Sequence, residues 1–141
     1  MKEIKKHENI RILRFDPDEE AVAGIISYCE ENNIKAGWLN MLGASGKVTL
    51  MYYNLETKKY EPRDYEQNLE VLAVTGNVGT FNHKTIVHAH GSFSDQNFQV
   101  VGGHIDSLTV SATLEVRIEV FPGEIMRKFD EFTGLKLMCP L

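Results

Sequence analysis

Three histidines stand in one stretch of the chain: His88 and His90, two apart, and His104 fourteen positions further on, behind Gly102-Gly103. Neutral imidazole is a donor for zinc, nickel, copper and iron, and three imidazoles converging on one point form the ligand set of an open zinc-type centre. Alternate residues of a strand point to one face, so His88 and His90 project together if residues 86–92 are extended. Ser94-Asp95-Gln96-Asn97 reads as a turn, and closing that hairpin returns His104 to the pair. A three-residue loop, Asp95–Asn97, sets His104 opposite His88, where facing Cβ atoms are about 5 Å apart. A loop of two or four residues moves the register by one and turns His104 to the other face. His88 and His90 alone would suit a solvent-facing strand; the third histidine at hairpin spacing makes a metal centre an equally good reading. Zinc is the first choice of metal because it needs no redox poise. Gly102 and Gly103 are expected to keep side chains out of its approach. His7 and His83 fall outside the hairpin.

Carboxylates could complete such a site. Glu70 and Glu115 lie on predicted strands, where an acid faces solvent, pairs with a cation such as Arg117, or serves a partner group. In the last case Glu70 would orient a histidine or fill a fourth coordination position. Hydrolysis at an open metal position would call for a general base. Glu70, Asp95 and Asp106 are the candidates, and spacing singles out none of them, so no catalytic residue is assigned. His88-Ala89-His90 followed by Asp95 and Gly102 approximates the first motif of a cupin. That reading fails because Asp stands where Glu belongs, Asn82 occupies an upstream glycine position, and the second motif is missing. Gly43-Ala44-Ser45-Gly46 reads as a turn rather than a phosphate cradle, since neither a helix nor a Lys-Ser/Thr pair follows it.

The elements that must position these groups are mostly strands. Residues 10–15 form a short apolar strand. Asp16 then caps a helix, with Pro17 at its first position, Asp18 and Glu19 in its first turn, and Val22, Ile25, Ile26 and Cys29 on one buried face. Asn32-Asn33 ends it. Strands follow over 36–42, 48–53, 69–77, 85–93 and 98–105, with a turn at 56–59. A long half-buried strand covers 108–121, alternating Val110, Ala112, Leu114, Val116, Ile118 and Val120 against polar residues. Pro122-Gly123 turns the chain into a final segment. The pattern predicts one α+β domain over residues 1–141, with one main helix against a mostly antiparallel sheet of about six to eight strands.

Composition narrows the function. The chain has 141 residues, 43% of them hydrophobic and 25% charged, with a net charge of −5. That is an ordinary soluble globular balance, without a stretch approaching the ~20 apolar residues of a membrane span. The basic clusters Lys5-Lys6 and Lys58-Lys59 are too short for an electrostatic footprint, so direct grip on duplex DNA is not expected. Met1–Lys6 lacks the apolar core of a signal peptide, and Cys29 and Cys139 follow no metal or redox spacing, so reduced thiols in the cytoplasm are expected.

The chain resembles the plants-and-prokaryotes conserved (PPC) domain, whose prokaryotic members stand alone and whose plant members are joined to AT-hook segments. The resemblance runs through Ala36-Gly37-Trp38, Leu42-Gly43-Ala44, Leu50 with Tyr52-Tyr53, Leu69-Glu70-Val71-Leu72 and Thr75-Gly76-Asn77. It continues in His88-Ala89-His90, Gly102-Gly103-His104, Glu115, Phe129-Asp130 and Thr133-Gly134-Leu135. It implies an α+β domain that assembles as a homotrimer, with His88, His90 and His104 near one another and able to hold a metal. It also implies a regulatory or accessory binding role, often given as DNA-binding, with a protein or small molecule as partner. A zinc-dependent metalloenzyme acting on a small molecule is the alternative. Where plant members carry a Gly-Arg-Phe-Glu-type segment for binding transcription factors, this chain has Gln67-Asn68-Leu69-Glu70, and the Arg-Gly-Arg core of an AT-hook is absent.

Overall fold

Runs of β-branched and aromatic residues broken by short turns leave little of this chain outside the sheet. The structure, a computed structural model, describes residues 1–140. The strands are β1 (Lys2–His7), β2 (Ile10–Phe15), β3 (Gly37–Asn54), β4 (Lys59–Tyr65), β5 (Leu69–Phe81), β6 (Lys84–Ser94), β7 (Val100–Val120), β8 (Arg127–Asp130) and β9 (Leu135–Met138). The helix is α1 (Ala21–Glu31). Seven strands form one antiparallel sheet in the order β1-β2-β7-β6-β5-β3-β4, and β8 and β9 pair as a separate hairpin. The sheet also closes on itself. β7 pairs with β3, β3 with β5, β5 with β6, and β6 again with β7. The ring holds the core, with Leu39, Val48, Val74, Val78, Phe93, Leu108, Val110, Leu114 and Ile118 among its fully buried side chains.

The α+β reading with one helix is therefore right, and the boundaries differ for physical reasons. Asp16 does not cap the helix; it pairs with Lys2 at 2.6 Å and Arg14 at 3.0 Å. Asp18 takes a left-handed conformation (φ 68°), which delays the first helical turn past Pro17. Glu20 is the cap: its carboxylate accepts from the backbone N–H of Val22 and Ala23, and from Leu108 on β7 at 2.8 Å. The expected end holds, with Asn33 left-handed at φ 52°. Ala21, Ile25, Tyr28 and Cys29 enter the core. Cys29 and Cys139 are free, and burial pushes the Cys29 thiol up to about 12.

The turn expected at Gly43–Gly46 is instead a bulged passage inside β3, which runs unbroken through it. Gly43 sits at φ +146°, and a Cβ there would meet the Thr113 carbonyl oxygen at 2.2 Å. Residues 98–105 and 108–121, read as two strands, are likewise one strand from Val100 to Val120. Ala112 does not follow its alternation; it is exposed where β7 bulges against β3. β1 and β4 add to the predicted strands; Lys2–His7 and Lys59–Tyr65 are almost wholly exposed and carry no apolar alternation.

Candidate metal centre

The positions of the histidines follow from one loop and one bulge. Ser94 pairs with Val100, so the β6–β7 loop has five residues, Asp95–Gln99, and not the three expected. Asp95 organises it, accepting from the N–H groups of Asn97 at 2.8 Å and Gln99 at 2.9 Å. Phe98, read as the start of a strand, is a left-handed loop residue with 87% of its surface exposed. Two extra residues slide the register by two. His104 therefore stands opposite His90 rather than His88, and an even shift keeps it on the same face. On β6, Ala89 and Phe93 point into the core, which turns His88 and His90 outward. On β7 the inward residues are Leu108, Val110 and Leu114, and a strict period of two from Leu108 would carry His104 inward. A bulge prevents this. Thr49 pairs with Ser107 and Leu50 with Ile105, leaving Asp106 as the extra residue. Ile105 thus takes the core position and His104 joins the other two outside.

The three imidazoles converge. One nitrogen from each lies within 4.8 Å of the others. His88 Nε2 and His90 Nε2 are 3.2 Å apart, and the ring centroids are 5.0, 5.2 and 5.4 Å apart. Burial, the Arg127 cation and the two neighbouring imidazoles push His88 down from 6.5 to about 4. Burial, with His90 adding to it, also lowers His104. Both are therefore neutral at pH 7, with lone pairs available and no proton to displace. His104 Nδ1 is buried without a hydrogen-bond partner. A buried ring nitrogen in that state is unfavourable unless something binds it, and a cation fits that donor set.

A wall of aromatic and C-terminal residues closes one side. The Tyr60 ring of β4 lies 5.0 Å from that of His104, and Tyr53 lies 4.8 Å from Tyr60. Tyr53 donates its hydroxyl to the Thr133 carbonyl at 2.7 Å, which ties down the β8–β9 hairpin. Arg127 opens that hairpin. It donates to Asn77 Oδ1 at 2.6 Å and to the Lys136 carbonyl at 2.8 Å, and its Nη2 comes within 3.5 Å of His88 Nδ1. Asn77 is the β5 partner of His88. Between histidines and hairpin lies a cavity of about 320 Å³, whose lining includes Tyr60, His88, His104, Arg127, Phe129 and Leu135.

Residues 3–122 match the Plants and Prokaryotes Conserved (PCC) domain. The chain belongs to that family. Solved structures agree with the assignment across almost the whole PCC chain. A metal-containing protein of Archaeoglobus fulgidus is 30% identical over 99% of this chain and 100% of its own, with a TM-score of 0.87. A PPC protein of Pyrococcus horikoshii is 25% identical, covering 95% and 93% of the two chains, at 0.87. A protein of Bacteroides thetaiotaomicron described as a candidate DNA-binding protein is 27% identical, covering 96% and 94%, at 0.92. No curated protein matches the sequence.

Around the PCC histidines the carboxylates named from sequence are dispersed, and among the described residues none joins the cluster. Glu70 is exposed and faces Ser94 at the far end of β6, away from Asn77 and Thr75, which face His88 and His90. Glu115 is exposed beside Arg14, and Arg117 pairs with Glu119 at 3.1 Å. Asp95 is spent on its loop and Asp106 is the exposed bulge residue. His7 lies on β1 and His83 in the β5–β6 turn, both outside the cluster. Gly102 serves backbone packing rather than ligand access, since a Cβ there would meet the Gly91 carbonyl oxygen at 2.7 Å. Sequence reading missed Arg127 and Tyr60. The available signal was Asn77, an amide inside an apolar strand that had to find a buried partner.

Proposed function

We propose that this PCC protein holds one divalent transition metal, zinc first, through His88, His90 and His104, and works as a homotrimer in regulatory or accessory binding. The observation that carries the reading is the convergence of three imidazole nitrogens within 4.8 Å. The neutral state of His88 and His104, the unpartnered His104 Nδ1 and the metal-containing relative support it. In zinc sites such nitrogens sit about 2.0–2.1 Å from the ion. A three-imidazole set leaves a coordination position for an outside oxygen, where the metal would act as a Lewis acid. The cavity beside the histidines favours a second reading on that ground, a zinc-dependent enzyme acting on a small molecule. Metal analysis of purified protein beside the His88→Ala/His104→Ala variant tests the site: about one ion per wild-type chain and background in the variant are expected, and equal content in both would refute it.

Assembly is supported by apolar side chains on the outer surface. Leu42 and Leu72 lie on adjoining stretches of β3 and β5 with 56% and 50% of their surfaces exposed, a pattern that marks contact faces. Tyr52 and Phe98 are exposed as well. Light scattering should give three times the 16.0 kDa chain mass; a monomer would contradict the trimer. Unaided binding to duplex DNA is not part of the proposal. The net charge is −5, and Lys2, Arg14, Lys47 and Arg117 are each paired with a carboxylate. Salt-sensitive binding to random duplex would count against this. Cytoplasmic placement belongs to the same proposal; among the described residues no helix is long and apolar enough to cross a membrane.

A further inference from the structure

We infer that the cavity between the histidines and the β8–β9 hairpin binds a small aliphatic monocarboxylate, with its carboxylate held by Arg127 and its tail against Ile86, Phe129, Leu135 and Leu137. The inference deepens the proposed metal site, and only the ligand's placement beside a metal rests on that reading.

Charge is the first argument. The chain carries a net −5, yet the cavity lining includes Arg127 and Lys136 and no Asp or Glu. Lys136 Nζ is engaged elsewhere, 4.7 Å from the centre of the Phe81 ring. That leaves one guanidinium to face a ligand.

The state of that guanidinium is the second argument. Among the described residues, Arg127 has no carboxylate within ion-pair distance, whereas Lys2, Arg14, Lys47 and Arg117 each have one. Its neighbours are neutral: Asn77 Oδ1, the Lys136 carbonyl and, at 3.5 Å, His88 Nδ1, which together take up to three of its five N–H groups. Its Nε is buried without a partner. A half-buried cation held by neutral acceptors, with donors to spare, is stabilised by an incoming anion more than a solvated one would be. The two anchors also fix the fork, so little side-chain freedom is lost on binding.

The walls set the class of anion. Ile86, Val87, Phe129, Leu135 and Leu137 offer hydrocarbon, and the volume of about 320 Å³ lies at the small end of ligand pockets. One guanidinium and apolar walls suit a monoanion with a short tail, whereas a phosphate dianion would want further donors. Ile86 and Val87 belong to the matched PCC segment, 3–122, while Arg127, Phe129, Leu135 and Leu137 lie beyond it.

The test is calorimetric titration of zinc-loaded full chain with 3-methylbutanoate, its neutral isostere 3-methylbutanamide and inorganic phosphate, on wild type and Arg127→Gln. The acid should bind saturably at one site per chain. The amide, and the acid on the Arg127→Gln variant, should bind at least about tenfold more weakly. If Arg127→Gln fails to fold, the acid–amide comparison on wild type decides. Equal affinity for acid and amide, undiminished acid binding by a folded Arg127→Gln, absence of acid binding, or tighter binding of phosphate would each overturn the inference. The His88→Ala/His104→Ala variant separates the two proposals. Acid binding there, with no zinc uptake by wild type, would sink the metal reading and leave the carboxylate site standing; zinc uptake without acid binding would do the reverse.

Discussion

The two ends of β7 do opposite things with the same backbone. From Leu108 to Ile118 the strand is a wall of the core: Leu108, Val110, Leu114, Val116 and Ile118 are buried, and β3 lines one edge while β2 borders the other over Leu114–Glu119. From Val100 to His104 it pairs with β6, has Ile105 as its nearest core residue, and presents a half-buried imidazole to the outside. Asp106 separates the two regimes by adding one residue, which reverses the phase of the alternation. On β6 simple alternation separates His88 and His90 from Ala89, whereas on β7 His104 reaches the outer face only because a bulge resets the phase. The core end keeps an apolar period of two, interrupted at Ala112, while the other end answers to chemistry.

Changing the phase on the His104 side of the bulge should break this division most severely. Inserting one glycine between His104 and Ile105 leaves Ile105 in the core, puts His104 in phase with Leu108 and turns its polar ring toward the core. Loss of metal uptake together with a drop of several degrees in the unfolding midpoint is expected by metal analysis and thermal scans. Retention of both would show that the phase is set elsewhere. Point changes should then separate the two ends. Leu114→Ala, in the core end, should cost about 2–5 kcal/mol in denaturant unfolding while the folded fraction keeps its metal. His104→Ala should abolish metal uptake and change metal-free stability by less than Leu114→Ala does.

A pH series sharpens the same contrast. His88 titrates near 4 in the folded chain against 6.5 when unfolded, with burial as the main cause. Between those values the unfolded chain binds a proton that the folded chain refuses. The contribution is therefore intact above about pH 6.5 and is lost as pH falls toward 4. Metal-free wild type should lose stability through that window, and His88→Ala should flatten the slope. A slope that survives His88→Ala would place the titrating group elsewhere. The same shift moves proton competition for metal at His88 down toward pH 4, below the 6.5 of a free imidazole. The smallest effects belong to His7→Ala and His83→Ala, which should leave metal content within error of wild type.

Much of this molecule was legible in advance because local rules govern it. The period of two in Val110, Leu114, Val116 and Ile118 reports burial of one strand face, and Ile25 with Cys29 reports a helix laid on the core. His88 and His90 share a face for the same reason, since alternate residues of any strand do. The positive φ of Asp18, the unbroken run of β3 through Gly43 and the exposed strands β1 and β4 were not legible, because each depends on what packs against it.

Composition and local pattern specify an acidic, single-helix β domain with two histidines on one face and a third within hairpin reach. Whether the third arrived there was decided by the five-residue loop and the Asp106 bulge, two register shifts whose consequences appear only when β6 and β3 are both paired to β7. Arg127 reaches the site from 37 residues beyond His90. No periodicity spans such a gap, and its place is set by tertiary contacts alone: Asn77, Tyr53 and the closed wall of β5.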